Sequence, residues 1–305
     1  MKNFKSNILQ FKKNFFNFQK RFIAQGAVYQ SDNSKVKLKG KFLKSKRADM
    51  PTLLFFPELM NQAENYEKFF SDPNHGILNY RNVWILNPRN TGDSDHHESF
   101  ELQDVAEDVS RFMDEKQLTT VTVGGHGYGA KIACAFGTSY LDRTSGVMCI
   151  EGGPLDNSYH SAWNDVREYI KQANKIAKST NNINDVNRKL DKVILNKRWN
   201  KIFKENLIES SNGVSWKCNM DIFALQANRP RPSFTDFGPQ YGLFPGRAFV
   251  QFASESHQIY LATNTIPIMT FFPKLEGTFP STYFNFIQTE DDENSKHLLD
   301  NFFII

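Results

Sequence analysis

The chain has 305 residues, of which 40% are hydrophobic and 23% charged, values that are ordinary for a globular protein of one large domain or two small ones. Its apolar runs are shorter than the roughly 18 to 20 residues that a membrane-spanning helix needs, so we expect no transmembrane span. The three cysteines, Cys134, Cys149 and Cys218, are odd in number and far apart. This favours reduced, buried thiols over a disulfide framework or a zinc site.

Positive charge is concentrated at the N-terminal end. Residues 1–47 carry 13 Lys and Arg against one acid, a net charge of +12, so the remainder of a chain of net charge +4 carries −8. Residues 1–31 contain no acid, and their apolar positions are three or four apart, which predicts a basic amphipathic helix. Such a segment is typical of mitochondrial targeting, so we expect a mitochondrial location on the matrix side. Association with the inner membrane is compatible with this expectation.

The same N-terminal segment has alternative interpretations. It is also compatible with a disordered or surface-lying basic helix that has no targeting role. A segment retained in the mature protein would suit an acidic protein surface or anionic lipid. Nucleic-acid binding is not expected, because the body is acidic and the segment contains no recognisable nucleic-acid-binding module.

Strands and helices alternate through the first half of the body. Short apolar runs predict buried strands at 51–56, 82–86, 120–123 and 145–150. Apolar residues at helical spacing predict a helix over 101–116, and small residues predict another over 130–138. This alternation predicts right-handed crossovers and a mostly parallel α/β sheet with helices on its faces.

The next segment, residues 157–210, is rich in lysine and has apolar residues at helical spacing. We interpret it as two or three helices inserted as a cap between strands. The alternation then resumes with strands predicted at 248–252 and 267–272. The expected organisation is a basic N-terminal arm at 1–47, a core formed by 48–156 and 211–305, and the cap at 157–210.

Residues 125–129 (GHGYG), between a predicted strand and a predicted helix, have the small–x–nucleophile–x–small spacing of a nucleophile elbow. With Ala130 and Lys131 they resemble the GHSMGGK elbow of the small α/β-hydrolase esterases, a branch that includes a mitochondrial member. Residues 87–94 (NPRNTGDS) resemble that branch's DARNHGDS turn, and 216–222 (WKCNMDI) resemble its WRxNLDA segment. The resemblance implies an α/β-hydrolase fold with an inserted helical cap.

The positions that match the family's catalytic residues lack its chemistry. The nucleophile position holds Gly127, which has no side chain to attack a carbonyl carbon. The catalytic histidine position holds Thr278, and threonine is not a general base near neutral pH. Only the acid position keeps a carboxylate, at Glu151, and Glu255 lies near an alternative acid position of the wider family. A carboxylate without its histidine has no triad role.

The oxyanion loop is also altered. Pro57 has no N–H, and Glu58 would place negative charge close to a developing oxyanion, the reverse of what stabilisation requires. The amides of Leu59 and Tyr128 would still point into the site, with no oxyanion to bind.

Other polar residues have structural interpretations. Asp93, Asp95, His96 and His97 are not expected to bind metal, because adjacent histidines do not face one ligand; Arg89 and Asp93 are expected to fix their turn by hydrogen bonds. The apolar tail 302–305 is expected to dock on the fold or on a partner.

These features predict a catalytically inactive α/β-hydrolase-like protein, with no cofactor or metal, that serves as a structural or accessory subunit of a mitochondrial multiprotein complex. An inner-membrane respiratory complex is the first candidate. A second hypothesis is a ligand-binding pseudoenzyme whose pocket, between sheet and cap, holds an acyl-type or other small apolar molecule. A third is a residual esterase with a centre relocated to Ser256 and His257.

Overall fold

The structure, a computed structural model, describes residues 35–158, 162–210, 213–238 and 241–251 together with the backbone of 275–276. Several predictions therefore lie outside the described residues: the amphipathic helix within 1–31, the strand at 267–272, the apolar tail 302–305, and the site positions Glu255, Ser256, His257 and Thr278.

The main sheet contains seven strands in the part of the chain that is described. Their order across the sheet is β1-β3-β2-β4-β5-β8-β9, and every neighbouring pair is parallel except β1 with β3. The strands are β1 Lys39–Leu43, β2 Thr52–Phe56, β3 Asn82–Asn87, β4 Val121–His126, β5 Thr144–Ile150, β8 Arg247–Gln251 and β9 Leu275–Glu276. The predicted mostly parallel sheet is confirmed.

Helices cover both faces of this sheet. The side chains of β2 point alternately into two hydrophobic cores, one on each face of the sheet. Leu53 and Phe55 pack with α1, whereas Leu54 and Phe56 pack with the opposite cluster, which contains α2 and α3 residues. The helices are α1 Glu64–Ser71, α2 Leu102–Glu115, α3 Tyr128–Ser139, α4 Ala162–Ala177, α5 Ile183–Val193, α6 Lys197–Glu205 and α7 Met220–Ala227. None of the described helices is long and apolar enough to span a bilayer.

Two expected boundaries are corrected. Strand β1 lies within the segment assigned to the N-terminal arm, and it pairs with β3 as an antiparallel edge strand. Lysines are common on edge strands, where they hinder pairing with another chain, and here they make the composition of the strand resemble that of a charged tail. The cap also continues past residue 210, because β6 Leu207–Ser210 forms a hairpin with β7 Gly213–Trp216. The helical cap itself is present as α4, α5 and α6.

The turn after β3 is fastened to α2 by a buried ion pair. The side chain of Arg89 is fully buried, with Nε 2.7 Å from Oδ2 of Asp108 and Nη2 2.9 Å from its Oδ1. Its Nη1 lies 3.7 Å from Oδ2 of Asp104. Arg89 therefore fixes the turn to the following helix and holds β3, the loop and α2 in one unit.

Candidate functional site

The elbow between β4 and α3 keeps the backbone of a nucleophile elbow. Gly127, between the two elements, has φ 55° and ψ −111°, a region in which side chains are strained. Its N–H donates to the carbonyl of Ile150 at 2.8 Å. A Cβ on Gly125 would lie 2.1 Å from the carbonyl carbon of Gly129, so the turn has no room for a side chain at that flanking position.

The space above Gly127 is filled by the side chain of Glu58. A Cβ added to Gly127 would lie 2.1 Å from each carboxylate oxygen of Glu58, and real Cβ atoms do not approach so closely. Glu58 is itself buried, at 5% exposure. The carboxylate thus occupies the position that a nucleophile's side chain would take on this elbow.

The same carboxylate binds the two backbone amides that would form the oxyanion hole. Oε1 of Glu58 accepts hydrogen bonds from the N–H of Leu59 at 3.0 Å and from the N–H of Tyr128 at 3.1 Å. Charge-assisted bonds of this kind are the strongest that backbone amides make. Both amides point into the site, as the sequence suggested, and the anion that they bind is the Glu58 carboxylate of the chain itself.

The second oxygen of Glu58 faces positive and polar groups. Arg198, from cap helix α6, places Nη2 at 3.1 Å from Oε2 of Glu58, and Nε2 of His126 lies 4.0 Å from the same oxygen. The Arg198 side chain is 47% exposed, so the ion pair runs from the protein surface into the buried centre. The cap and the elbow are thereby joined above Gly127.

A buried tyrosine and histidine complete the network. The N–H of Glu58 donates to Oη of Tyr66 at 3.1 Å, and Oη of Tyr66 is hydrogen-bonded to Nδ1 of His126 at 2.7 Å, with the direction set by the histidine tautomer. Burial lowers the pKa of His126 to about 4, although the nearby Glu58 charge opposes this. Burial, with the Glu58 charge, raises the pKa of Tyr66. Both rings are therefore neutral near pH 7.

Two further predicted site residues stand in segments that adjoin the elbow: the carbonyl of Ile150, next to Glu151, accepts from the N–H of Gly127, and a Cβ on Gly129 would lie 2.6 Å from the carbonyl oxygen of Pro57. Glu151 follows β5 with φ 50°, and its N–H donates to the carbonyl of Gln251 at 2.8 Å. The two oxyanion-loop neighbours Pro57 and Leu59 stand at the end of β2, as expected. Thr278 lies outside the described residues.

The acid and histidine cluster of the turn after β3 makes local contacts. Oδ2 of Asp95 accepts from the N–H of Lys37 at 3.0 Å, and Nδ1 of His97 accepts from the N–H of Ser99 at 3.1 Å. Within the described ranges, no group of three or more His, Cys, Asp or Glu side chains is arranged to hold a metal ion.

The sequence pattern did not single out three residues that surround Glu58, namely Tyr66, Arg198 and His126. Arg198 lies 140 residues from Glu58 in the chain, within a run of exposed basic residues that gives no signal of a partner. Tyr66 lies on α1, where a buried aromatic residue looks like any core position. His126 is next to the elbow apex, and that adjacency is the one signal that could have drawn attention to it.

Comparisons with known proteins agree with this architecture. The family described as alpha/beta hydrolase fold matches residues 51–265. The structure titled "Marine microorganism esterase" is similar with a TM-score of 0.70 and 18% identity, over 80% of this chain and 90% of that one. The structure of E-2-(acetamidomethylene)succinate hydrolase is similar with a TM-score of 0.59 and 17% identity, over 88% and 94% of the two chains. Similarity at these identities concerns the fold alone.

Two curated yeast proteins show partial sequence similarity. A "Probable alcohol acetyltransferase" of Wickerhamomyces anomalus is 26% identical over 89 residues, which are 29% of this chain and 26% of that protein. "Ethanol acetyltransferase 1" of Cyberlindnera jadinii is 24% identical over 119 residues, which are 39% of this chain and 34% of that protein. The alignments therefore span only about a quarter to a third of these relatives.

Proposed function

The chain belongs to the α/β-hydrolase family, and we propose that it is a member without hydrolase activity, which serves as an accessory subunit of a mitochondrial multiprotein complex. The observation that carries the first half of this proposal is the position of Glu58. Its carboxylate takes both the nucleophile's space above Gly127 and the hydrogen bonds of the Leu59 and Tyr128 amides.

This arrangement opposes ester hydrolysis in two ways. First, no serine, cysteine or aspartate stands at the elbow, because Gly127 contributes only backbone. Second, a substrate carbonyl oxygen would need the amides that Glu58 already binds, and the charge developing on that oxygen would be repelled by the carboxylate. Donors that normally stabilise a transition state are used here to stabilise the folded chain.

Activity assays test the inactive half of the proposal. The purified protein should not hydrolyse short-chain p-nitrophenyl esters above the rate measured for buffer with heat-denatured protein. The double variant Gly127→Ser with Glu58→Ala should remain inactive as well, because Thr278 supplies no general base. Turnover that is lost in Ser256→Ala or His257→Ala would contradict the proposal and favour a relocated centre.

The names of the two yeast relatives favour acyl transfer as a second candidate function. In that case the Glu58 carboxylate, at the nucleophile position, would attack the acyl carbon of acetyl-CoA and form an acyl anhydride with release of the CoA thiolate. An alcohol would then attack the anhydride, giving the ester and the free carboxylate, and its proton would pass to the thiolate. Formation of ethyl acetate from acetyl-CoA and ethanol by the wild type, and its loss in Glu58→Gln, would support this alternative. We expect no product, because Oε1 of Glu58 is engaged by two amides and Oε2 by Arg198.

The accessory-subunit half of the proposal is motivated by the basic, acid-free segment at residues 1–31 beside an acidic remainder. If the chain keeps the fold without the reaction, we expect the fold to be retained because its surface contacts partner subunits. The test is native electrophoresis of detergent-solubilised mitochondria from cells that express the tagged full chain, followed by mass spectrometry of the tagged band. Migration within a defined assembly is expected. Migration as a lone species of about 35.2 kDa, or absence from mitochondria, would contradict this half while leaving the assay results above unaffected.

A further inference from the structure

The turn between the cap helices α5 and α6 presents a leucine to solvent. Leu195 in this turn is 78% exposed, the highest value among the exposed large hydrophobic side chains of the described residues. Val193, the last residue of α5, is also exposed, whereas Ile194 between them is buried and anchors the turn in the core. A single exposed leucine is common on protein surfaces, so its surroundings decide what it can do.

The helices that flank this turn are basic, on a body that is acidic. Residues 183–205 carry seven Lys and Arg against three acids, a net charge of +4, within residues 48–305, whose net charge is −8. Lys192 and Lys197, on either side of Leu195 in the chain, are exposed and form no ion pair within the part of the chain that the structure describes. The described residues therefore leave positive charge at the turn without a neutralising partner.

A groove of about 570 Å³ connects the leucine with this charge, because Leu195 and Lys197 both line it. Two acids also line the groove, and each is paired with a lysine of the same lining: Asp191 at 2.6 Å and Glu205 at 3.7 Å. Lys197 is the third lysine of the lining. An apolar side chain and an unneutralised cation thus stand at one groove on the surface of the cap.

We propose that the α5–α6 turn docks on the surface of an anionic phospholipid bilayer. Leu195 enters the boundary between headgroups and acyl chains, and the lysines attract the lipid phosphates. A protein surface fits this turn less well, because protein interfaces are depleted in lysine and enriched in aromatic residues and arginine. The proposal rests on the cap alone and is independent of the elbow and of the function proposed above.

A fluorophore at position 195 of the full chain tests the proposal. The three native cysteines are buried, so Leu195→Cys can be labelled selectively with a nitrobenzoxadiazole dye, whose emission moves to the blue in an apolar environment. We expect this shift with vesicles of phosphatidylcholine mixed with phosphatidylglycerol, no shift with phosphatidylcholine alone, and loss of the shift at high salt. Leu141→Cys, labelled in the same way, is the control. Leu141 is exposed before β5, whereas the cap follows β5, so no shift is expected there.

Two double variants of the labelled chain test the role of the lysines. Lys192→Gln with Lys197→Gln should raise the lipid concentration for a half-maximal shift by about ten-fold, because two charges near the anionic surface are lost. Lys44→Gln with Lys46→Gln removes the same charge from exposed residues after β1 and should change that concentration by less than about two-fold.

Three outcomes would overturn the proposal. The first is no shift at position 195 with the mixed vesicles, even if residues 1–31 hold the protein on them, because position 195 would then remain in water. The second is an equal shift with soluble poly-L-glutamate, which would favour an acidic polypeptide as the partner. The third is an equal effect of the two double variants, which would mean that net charge and not the α5–α6 turn determines binding.

Discussion

Two clusters of charged side chains lie where central strands end, and they are built differently. After β3, the guanidinium of Arg89 is fully buried beside the carboxylates of Asp104 and Asp108, so both signs of charge are held by side chains of neighbouring segments. After β2, the buried carboxylate of Glu58 is held by two backbone amides and by Arg198, which reaches it from the cap.

The difference separates what the fold needs from what a reaction needs. The Arg89 cluster joins a turn to a helix, a task that is the same in a hydrolase and in an inactive relative. The Glu58 cluster stands in the space where a hydrolase would keep its nucleophile and would leave its amides open for substrate. The elbow backbone keeps the geometry expected of a nucleophile elbow although Gly127 has no side chain, so backbone geometry alone does not indicate activity.

The largest expected effect comes from removing Arg89. In Arg89→Met, the buried carboxylate of Asp104 loses its cation and that of Asp108 keeps only the partly exposed Arg111, and breaking a buried pair in this way costs about 3 to 5 kcal/mol of the free energy of unfolding. Urea denaturation monitored by circular dichroism measures it. The control is Arg188→Met, whose ion pair with Asp185 is exposed and contributes about 0 to 1 kcal/mol. Equal losses in the two variants would mean that the Arg89 cluster is not a support of the fold.

The second effect is a pH dependence of the free energy of unfolding, which arises from His126 beside the Glu58 cluster. His126 has a pKa of about 4 in the folded chain and an ordinary value near 6.5 when unfolded, so between these values the unfolded chain binds more protons. The free energy of unfolding should therefore fall as the pH drops below about 6.5, with a His126 contribution of about 2 to 3 kcal/mol between pH 7 and 4.5.

Comparison with His126→Gln isolates this contribution, since the glutamine amide does not titrate and can donate to Tyr66 or accept from it. The variant should lose less stability than the wild type over the same pH range in urea titrations. His96→Gln changes an exposed histidine and serves as the control, with a pH dependence that matches the wild type. Parallel curves for His126→Gln and the wild type would rule out a neutral, buried His126.

The third effect tests whether Glu58 fills the nucleophile position. Gly127→Ser should lower the free energy of unfolding by about 1 to 3 kcal/mol, because its Cβ would overlap the Glu58 carboxylate. Adding Glu58→Ala should relieve the overlap, so the double variant should be more stable than the sum of the single effects by about 0.5 to 3 kcal/mol.

A second glycine provides the control for this cycle. Gly153→Ser places its Cβ where nothing lies within 4 Å, and it should not couple to Glu58→Ala. Additive effects of Gly127→Ser and Glu58→Ala would show that the two residues do not share one space.

Sequence reasoning succeeded where a pattern is local. Strands β2 to β5 and the helix α2 follow from apolar runs and spacing, and each was predicted to within a few residues. The edge strand β1 was missed because Lys39 and Lys41 make it resemble a tail, and the β6–β7 hairpin was missed because its pairing is set by the cap.

The candidate site divides in the same way. The absence of a side chain at Gly127 and the presence of a carboxylate at Glu58 are visible in the letters of the sequence. That the carboxylate turns onto the amides of Leu59 and Tyr128 depends on the loop conformation, and its pairing with Arg198 crosses 140 residues of chain. Neither follows from spacing.

The smallest effect distinguishes the two partners of Glu58. Arg198→Met should cost about 1 kcal/mol or less, because the arginine is half exposed and its ion pair is screened by water. In Glu58→Ala, by contrast, two buried amides lose their acceptor, so hydrogen exchange at Leu59 and Tyr128 should accelerate while it stays slow in Arg198→Met. The neighbouring exposed Lys197→Met is the control, with exchange as in the wild type.

If Arg198→Met exposed these amides as much as Glu58→Ala does, the cap would be what keeps the carboxylate in the oxyanion hole. The Glu58 cluster would then depend on a surface residue, whereas in the other cluster the partly exposed Arg111 only adds to a pair that Arg89 already forms with Asp108 inside the core.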